Sequence, residues 1–186
     1  MNRVILAVVG LPGAGKTEAA KYVMEKTGWP KVYFGQITLD EVKSRGLEIN
    51  EANERKIREE LRAKHGMAAF AILSLPKVKE MAQNSNVILE SLYSWEEYES
   101  VKKEFGNAFQ VLAIYASPRV RQSRMAARKE RPLTAEEFQS RDFSQIANLH
   151  QAGPIARANY TVINEGLLED MHRDIDKVLN ELLAPS

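Results

Sequence analysis

The chain of 186 residues contains no cysteine, which excludes disulfides and any thiolate metal site. It also lacks a continuous apolar run near the roughly twenty residues a membrane span needs. Met1-Asn2-Arg3 runs straight into a strand-like segment, so a signal peptide is not expected and a cytoplasmic protein is. Charge of either sign is not in excess: the formal net charge is +1, too balanced for a strongly basic nucleic-acid binder. Only three histidines occur, His65, His150 and His172, scattered without ligand spacing. Internal repeats and low-complexity tracts are missing too, which favours one compact unit over 1–186. What remains is 44% hydrophobic and 27% charged, the balance of a soluble domain with a full core.

The most informative stretch is Gly10-Leu11-Pro12-Gly13-Ala14-Gly15-Lys16-Thr17, which meets every fixed position of the phosphate-loop pattern. Ahead of it, Val4 to Val9 is β-branched and apolar, as a buried strand is. Behind it, Lys16 to Lys26 reads as a helix that Gly28 closes. Strand, glycine turn and helix is the order in which backbone N–H groups can close on phosphate oxygens. The helix N-terminus adds partial positive charge, Lys16 a full one, and the Thr17 hydroxyl suits a magnesium ion bridging the phosphates.

Further along, Lys31 to Gly35 reads as a short strand. Thr38-Leu39-Asp40-Glu41 has capping-box spacing and predicts a helix ending at Gly46. Asn50 predicts the cap of a helix running to His65. On it Arg55, Arg58 and Arg62 share a sector beside the narrow stripe of Ile57 and Leu61, where a cleft wall would lie, although pairing with Glu54, Glu59 and Glu60 accounts for them equally well. Met67 to Leu75 predicts a buried helix kinked or restarted by Pro76. Asn86 to Glu90 is a buried strand with a carboxylate at its end, and Ser94-Trp95-Glu96-Glu97 is a second capping box. Gln110 to Ala116 predicts a fourth strand, and Ser117-Pro118 opens a helix carrying Arg119, Arg121, Arg124, Arg128 and Arg131 up to Pro132. Thr134 caps the next helix, which contains Arg141 and Asp142; Tyr160 to Asn164 is the fifth strand. The last helix, Leu167 to Leu183, sets Leu168, Met171, Ile175, Val178, Leu179 and Leu182 on one face. Alternating strands and helices predict an α/β fold with a parallel sheet covered on both faces.

In such sheets ligands bind at the C-terminal strand ends. Glu90 arrives there beside the loop, placed to hold magnesium with Thr17. Phosphoryl transfer needs charge neutralisation and alignment, which Lys16, Arg124, Arg128 and Arg141 suit, the two helices joined through Arg128-Lys129-Glu130-Arg131-Pro132 forming a lid. Asn164-Glu165-Gly166 is placed for backbone to meet a base ring.

These residues resemble those of the nucleoside monophosphate kinases. Gly10-Leu11-Pro12-Gly13-Ala14-Gly15-Lys16 looks like their G-x-P-G-x-G-K loop. More narrowly, Arg45-Gly46-Leu47, Leu61-Arg62, Ala113 to Pro118, Phe138-Gln139-Ser140-Arg141-Asp142 and Ile155-Ala156 through Asn164 are similar to the archaeal-type dephospho-CoA-kinase-like nucleotide kinases. The resemblance implies a three-layer P-loop fold whose five parallel strands run 2-3-1-4-5, with acceptor-binding helices at about 36–83 and a lid at about 124–148. It implies ATP and magnesium as cofactors and a nucleotide-like small-molecule acceptor, while the balanced charge and the lack of a long apolar run leave neither nucleic acid nor membrane expected as partner. It assigns Gly10, Leu11, Pro12, Gly13, Ala14, Gly15, Lys16 and Thr17 to the phosphates, Thr17 and Glu90 to the metal, and Arg124, Arg128 and Arg141 to the lid. Asn164 falls on the adenine side, and Arg58, Arg62 and Glu90 face the acceptor.

Two positions depart from the narrower group. Glu90-Ser91-Leu92-Tyr93 stands where its members carry Asp-Gly followed shortly by arginine, and Asn159 where they carry aspartate. Three readings follow: transfer of the γ-phosphoryl of ATP to a monophosphate, transfer to a sugar hydroxyl with Glu90 or Asp40 as base, and an ATP-binding switch with slow or absent turnover. Acceptor, base preference and oligomeric state are left open by the sequence.

Overall fold

The computed structural model describes residues 3–129 and 131–184. Its centre is Ile5–Val9 (β1), whose five residues are all buried because it is the middle strand of a sheet with helices packed on both faces. Lys16–Thr27 (α1) follows and stops at Gly28, left-handed at φ 70°, whose N–H satisfies the Met24 carbonyl. Lys31–Tyr33 (β2) leads into Gln36–Ser44 (α2) and Glu51–His65 (α3), the latter capped by Asn50, whose side chain accepts from the Asn53 N–H at 3.0 Å. Ala69–Ala82 (α4), Val87–Glu90 (β3) and Trp95–Phe105 (α5) come next. The Ser94/Glu97 capping box that opens α5 is fully formed. A 3₁₀ turn leads to Phe109–Tyr115 (β4), then Pro118–Ala126 (α6), Ala135–Ala147 (α7), Ala152–Ala156 (α8), Tyr160–Ile163 (β5) and Leu168–Leu182 (α9).

The sheet is parallel throughout, as the alternation of strands and helices predicts, in the order β2-β3-β1-β4-β5 that the family resemblance implies. Its register pairs Ala7 with Leu89 and Val8 with Glu90, so β1 and β3 end side by side. Alternation along the strands feeds two cores. Ile5, Ala7 and Val9 join Leu89, Val111 and Phe70 beneath α4 and α5. Leu6 and Val8 join Ile88, Leu112 and Ile114 against Ala19, Val23, Met171 and Ile175 of α1 and α9. No helix among the described residues is long and apolar enough to cross a membrane.

Several local expectations are corrected. α2 begins at Gln36 rather than at a Thr38 capping box: the chain turns into helix directly after Phe34, with Thr38 N–H on the Gly35 carbonyl. The Thr38 hydroxyl is buried without a partner. α4 does not restart at Pro76 but runs on through it to Ala82, that proline lying on the exposed side. α6 ends at Ala126 instead of reaching Pro132, because the chain folds back and the Leu133 N–H bonds the Met125 carbonyl at 3.2 Å. Arg128 and Arg131 therefore lie beyond the helix, and Glu130, assigned to the lid joint, lies outside the described residues. α8 has no counterpart in the sequence reading. Leu168, placed on the buried stripe of α9, is exposed while Met171, Ile175, Val178 and Leu179 are buried.

Candidate nucleotide site

The phosphate loop spans the gap between the end of β1 and the start of α1. Gly15 precedes the helix at φ 103°, and a Cβ there would lie 2.4 Å from the Asn164 Nδ2, so glycine is needed both for the angle and for the approach. Asn164 is itself buried. It donates to the Ala14 carbonyl at 2.8 Å, and its Oδ1 accepts from Arg124 Nη2 at 3.3 Å. The residue assigned to the adenine side thus spends its side chain holding the loop from below. Gln151, with no exposed surface, buttresses the loop's other end by donating to the Gly10 carbonyl at 2.9 Å.

Above the loop lies a cavity of about 360 Å³ lined by Pro12, Gly13, Gly15, Lys16, Thr17, Arg124, Arg128 and Arg141. All four cationic side chains assigned to transfer meet here, although Arg128 reaches it from beyond α6. The Lys16 ammonium donates to the Leu11 carbonyl at 3.1 Å. Its pKa is lowered from 10.5 to about 8, first by desolvation and then by the Arg141 and Arg128 guanidinium groups; Glu90 pulls the other way. Arg124 Nη1 is buried without a partner. Four cationic side chains around one cavity, the lysine among them depressed by desolvation, give it a chemistry that can attract an anion.

Lys16, Thr17 and Tyr93 also border a second, larger cleft of about 640 Å³. Its walls come from β2 and α2 (Lys31, Tyr33, Gln36, Asp40), α4 (Ser74, Lys77) and the end of β3 (Glu90, Ser91). Glu90 accepts from the Thr17 hydroxyl at 3.3 Å and from the Lys31 ammonium at 2.5 Å. Among the described residues no group of three or more His, Asp or Glu side chains could hold a metal alone. A hydroxyl and a carboxylate this close, beside an anion cavity, nevertheless fit a magnesium ion that draws its other ligands from phosphates and water.

Arg58 and Arg62 are not brought to the cleft lining. Arg58 pairs with Glu51 and Glu54 at 2.7 and 3.4 Å, and Arg55 with Glu59, the ion pairing that equally explains them. Arg62 lies over the Phe70 ring at 5.1 Å, its pKa lowered chiefly by burial. Besides Lys16, the cations that line the cleft are Lys31 and Lys77, which carry no motif and were missed; so were Tyr33 and Gln151. Arg121 was passed over among its neighbours, though it is the buried arginine of α6. At the departing segment, Ser91 holds φ 70° where the similar group has glycine, and its hydroxyl lies 3.0 Å from the Tyr93 phenol. Burial pushes the Tyr93 and Tyr33 phenols up, so both are neutral near pH 7.

Comparison with known proteins places these features in a lineage. A family model described as an AAA domain matches residues 6–144. A UPF0200 protein of Thermococcus kodakarensis is 32% identical over 97% of this chain and 98% of its own length, and one of Pyrococcus abyssi is 33% identical over 96% and 97%. Among solved structures, TT1252 from Thermus thermophilus superposes with a TM-score of 0.68 at 18% identity, covering 99% of this chain and 100% of its own. A shikimate kinase from Bacteroides thetaiotaomicron gives 0.62 at 18% identity over 97% and 98%. A gluconokinase from Sinorhizobium meliloti gives 0.59 at 15% identity over 97% and 94%. These structures share the fold of a P-loop kinase.

Proposed function

The chain belongs to the UPF0200 proteins and carries their AAA-type P-loop domain, and from that premise we propose that it is an ATP-dependent kinase moving the γ-phosphoryl group to a nucleotide-like small molecule. The observation that carries this reading is that two cavities have Lys16, Thr17 and Tyr93 in common in their linings. One is cationic and sized for a polyphosphate tail; the other is mixed in charge and open to a second substrate. An acceptor oxygen entering from the cleft attacks the γ-phosphorus, the bond from that phosphorus to the β–γ bridging oxygen breaks, and ADP leaves with the electron pair. Lys16, Arg124, Arg128 and Arg141 spread the charge of the transferring group, and desolvation of Lys16 strengthens its pull. Thr17 and Glu90 would hold magnesium, which when bound neutralises phosphate oxygens. Asn164 and Gln151 keep the loop amides aimed at the phosphates.

A second reading has a specific observation behind it. Asp40 and Glu90 both line the cleft, so a hydroxyl acceptor would find a carboxylate to take its proton, which a phosphate acceptor does not need. The experiment is ADP release from Mg-ATP with nucleoside monophosphates and dephospho-CoA added one at a time, on wild type and Lys16→Ala. Acceptor-stimulated release that Lys16→Ala abolishes supports a kinase, and the acceptor that works separates phosphate from hydroxyl. Saturable Mg-ATP binding with no stimulation by any acceptor would replace the proposal with the switch reading.

A further inference from the structure

Arg121 is 3% exposed, yet its guanidinium is the most heavily bonded in the protein's phosphate-binding region. Nε donates to the Ala116 carbonyl at 3.0 Å and Nη1 to the Pro12 carbonyl at 3.3 Å. Nη1 and Nη2 grip the two Asp142 oxygens as a fork, the second at 2.9 Å. The Phe138 ring lies 5.3 Å from the guanidinium carbon. The backbone of Arg121 is equally close to the loop, since a Cβ on Gly13 would sit 2.7 Å from its carbonyl oxygen. One side chain therefore ties the end of β4, the phosphate loop and α7 together.

The geometry of α7 gives this tie a consequence. Phe138 and Asp142 are four apart and meet Arg121, whereas Arg141 is rotated by about 100° from Asp142 and enters the phosphate cavity. With its carboxylate fixed to the loop's own partner, α7 cannot carry Arg141 far from the phosphates. Resting on the phosphate-site reading, we infer that Asp142 and Arg121 are positioning residues that set Arg141 against the bound polyphosphate, so α7 is a fastened wall and not a free lid. A purely structural pair would stabilise the fold and leave Arg141 indifferent to it. A fork between charged, planar partners fixes orientation as well as distance, which is what aiming a second guanidinium requires.

The test is a double-mutant cycle read as Mg-ATP affinity by calorimetry, on wild type, Asp142→Asn, Arg141→Ala and the double variant. Expected is a loss of about tenfold on Asp142→Asn with Arg141 present, and less than about twofold with Arg141 absent, within the coupling seen for residues of one network. Equal losses in both backgrounds, or no loss in a folded Asp142→Asn, would overturn the inference while leaving the phosphate site intact. A wild type that binds no Mg-ATP would instead remove the phosphate site itself. The same cycle with Arg121→Lys, which keeps the charge and loses the fork, decides the matter if thermal unfolding shows Asp142→Asn to be unfolded.

Discussion

Raising the pH from about 7 to about 9 should weaken Mg-ATP binding roughly tenfold, and the reason is Lys16. Its ammonium is largely desolvated against the loop and shares its cavity with Arg128 and Arg141, which together bring its pKa down to about 8. Only the protonated form contributes a full charge to the triphosphate. The fraction protonated is nine-tenths at one pH unit below the pKa and one-tenth at one above, so apparent affinity falls by about a factor of ten across that interval. Binding restores the proton, so calorimetry in buffers of different ionisation enthalpy should register proton uptake above pH 8 and little below pH 7. Arg141→Ala removes one of the depressing charges and should move the onset to higher pH. Stability runs in the opposite sense. The unfolded chain keeps the Lys16 proton up to 10.5 while the folded site releases it near 8, so between those values the unfolded state binds more protons and stability rises with pH. Below pH 8 the charged lysine costs the nucleotide-free protein about 3 kcal/mol, and Lys16→Met should melt higher at pH 7 than wild type does. A dissociation constant flat between pH 7 and 9.5, or proton uptake unchanged in Lys16→Arg, would refute the reasoning.

Other perturbations test separate parts of the structure. Gly15→Ala drives a Cβ to 2.4 Å from Asn164 Nδ2 at a φ of 103°, so nucleotide binding should be lost in calorimetry, and adding Asn164→Ala should not restore it because the backbone angle stays unfavourable. Glu97 is fully buried, and desolvation raises its pKa from 4.5 to about 7 against the Tyr93 and Ser94 amides that favour its charge. Its stabilising protonated form is lost as pH rises through 7, so wild type should lose up to roughly 3 kcal/mol between pH 5 and 8 in denaturant melts relative to Glu97→Gln, which lacks that dependence. Arg58→Ala, outside the cleft lining, should leave the acceptor KM unchanged, whereas Lys77→Ala should raise it several-fold; the reverse pattern in ADP-release kinetics would return the acceptor to α3.

What could be read from the sequence is what lies close together in it. The phosphate loop is eight consecutive residues whose glycines and backbone amides do the work, and no distant contact is needed to recognise it. The α3, α5 and α7 starts were legible because their caps are side chains three residues from the N–H they bond. The start of α2 was not, since Gly35 caps it with no side chain and Thr38 happens to have the right spacing for a box one turn later. α8 is five residues long and includes Gly153 and Pro154, which read as breakers. The same locality divides the site. Arg121 and Arg124 sit three apart on α6 and look alike in sequence; Phe138 and Asp142 on another helix make the first a buried tie and leave the second facing the cavity.

The larger cleft, the acceptor side of the proposed reading, was hidden for a stronger reason, which is that its chemistry lies in how charges are segregated. A net charge of +1 suggests scattered, self-cancelling ions. In the folded chain four cations gather over the phosphate loop, with Glu18 in the same lining at the start of α1 and Glu90 close by on the Thr17 hydroxyl. The adjoining cleft instead sets Lys31 and Lys77 against Asp40 and Glu90, with two phenols that burial keeps neutral. Glu90 is consumed in part by Lys31, so the longer acid at the end of β3 acquires a partner in place of the guanidinium that Tyr93 lacks. Ser91 accepts a left-handed angle at that same point, and its hydroxyl meets the phenol. At this junction the chain presents two hydroxyl groups, on Ser91 and Tyr93, and a carboxylate paired with Lys31. On the proposed kinase reading, discrimination among acceptors would fall to hydrogen bonding at this junction and the attraction for polyphosphate to the loop side.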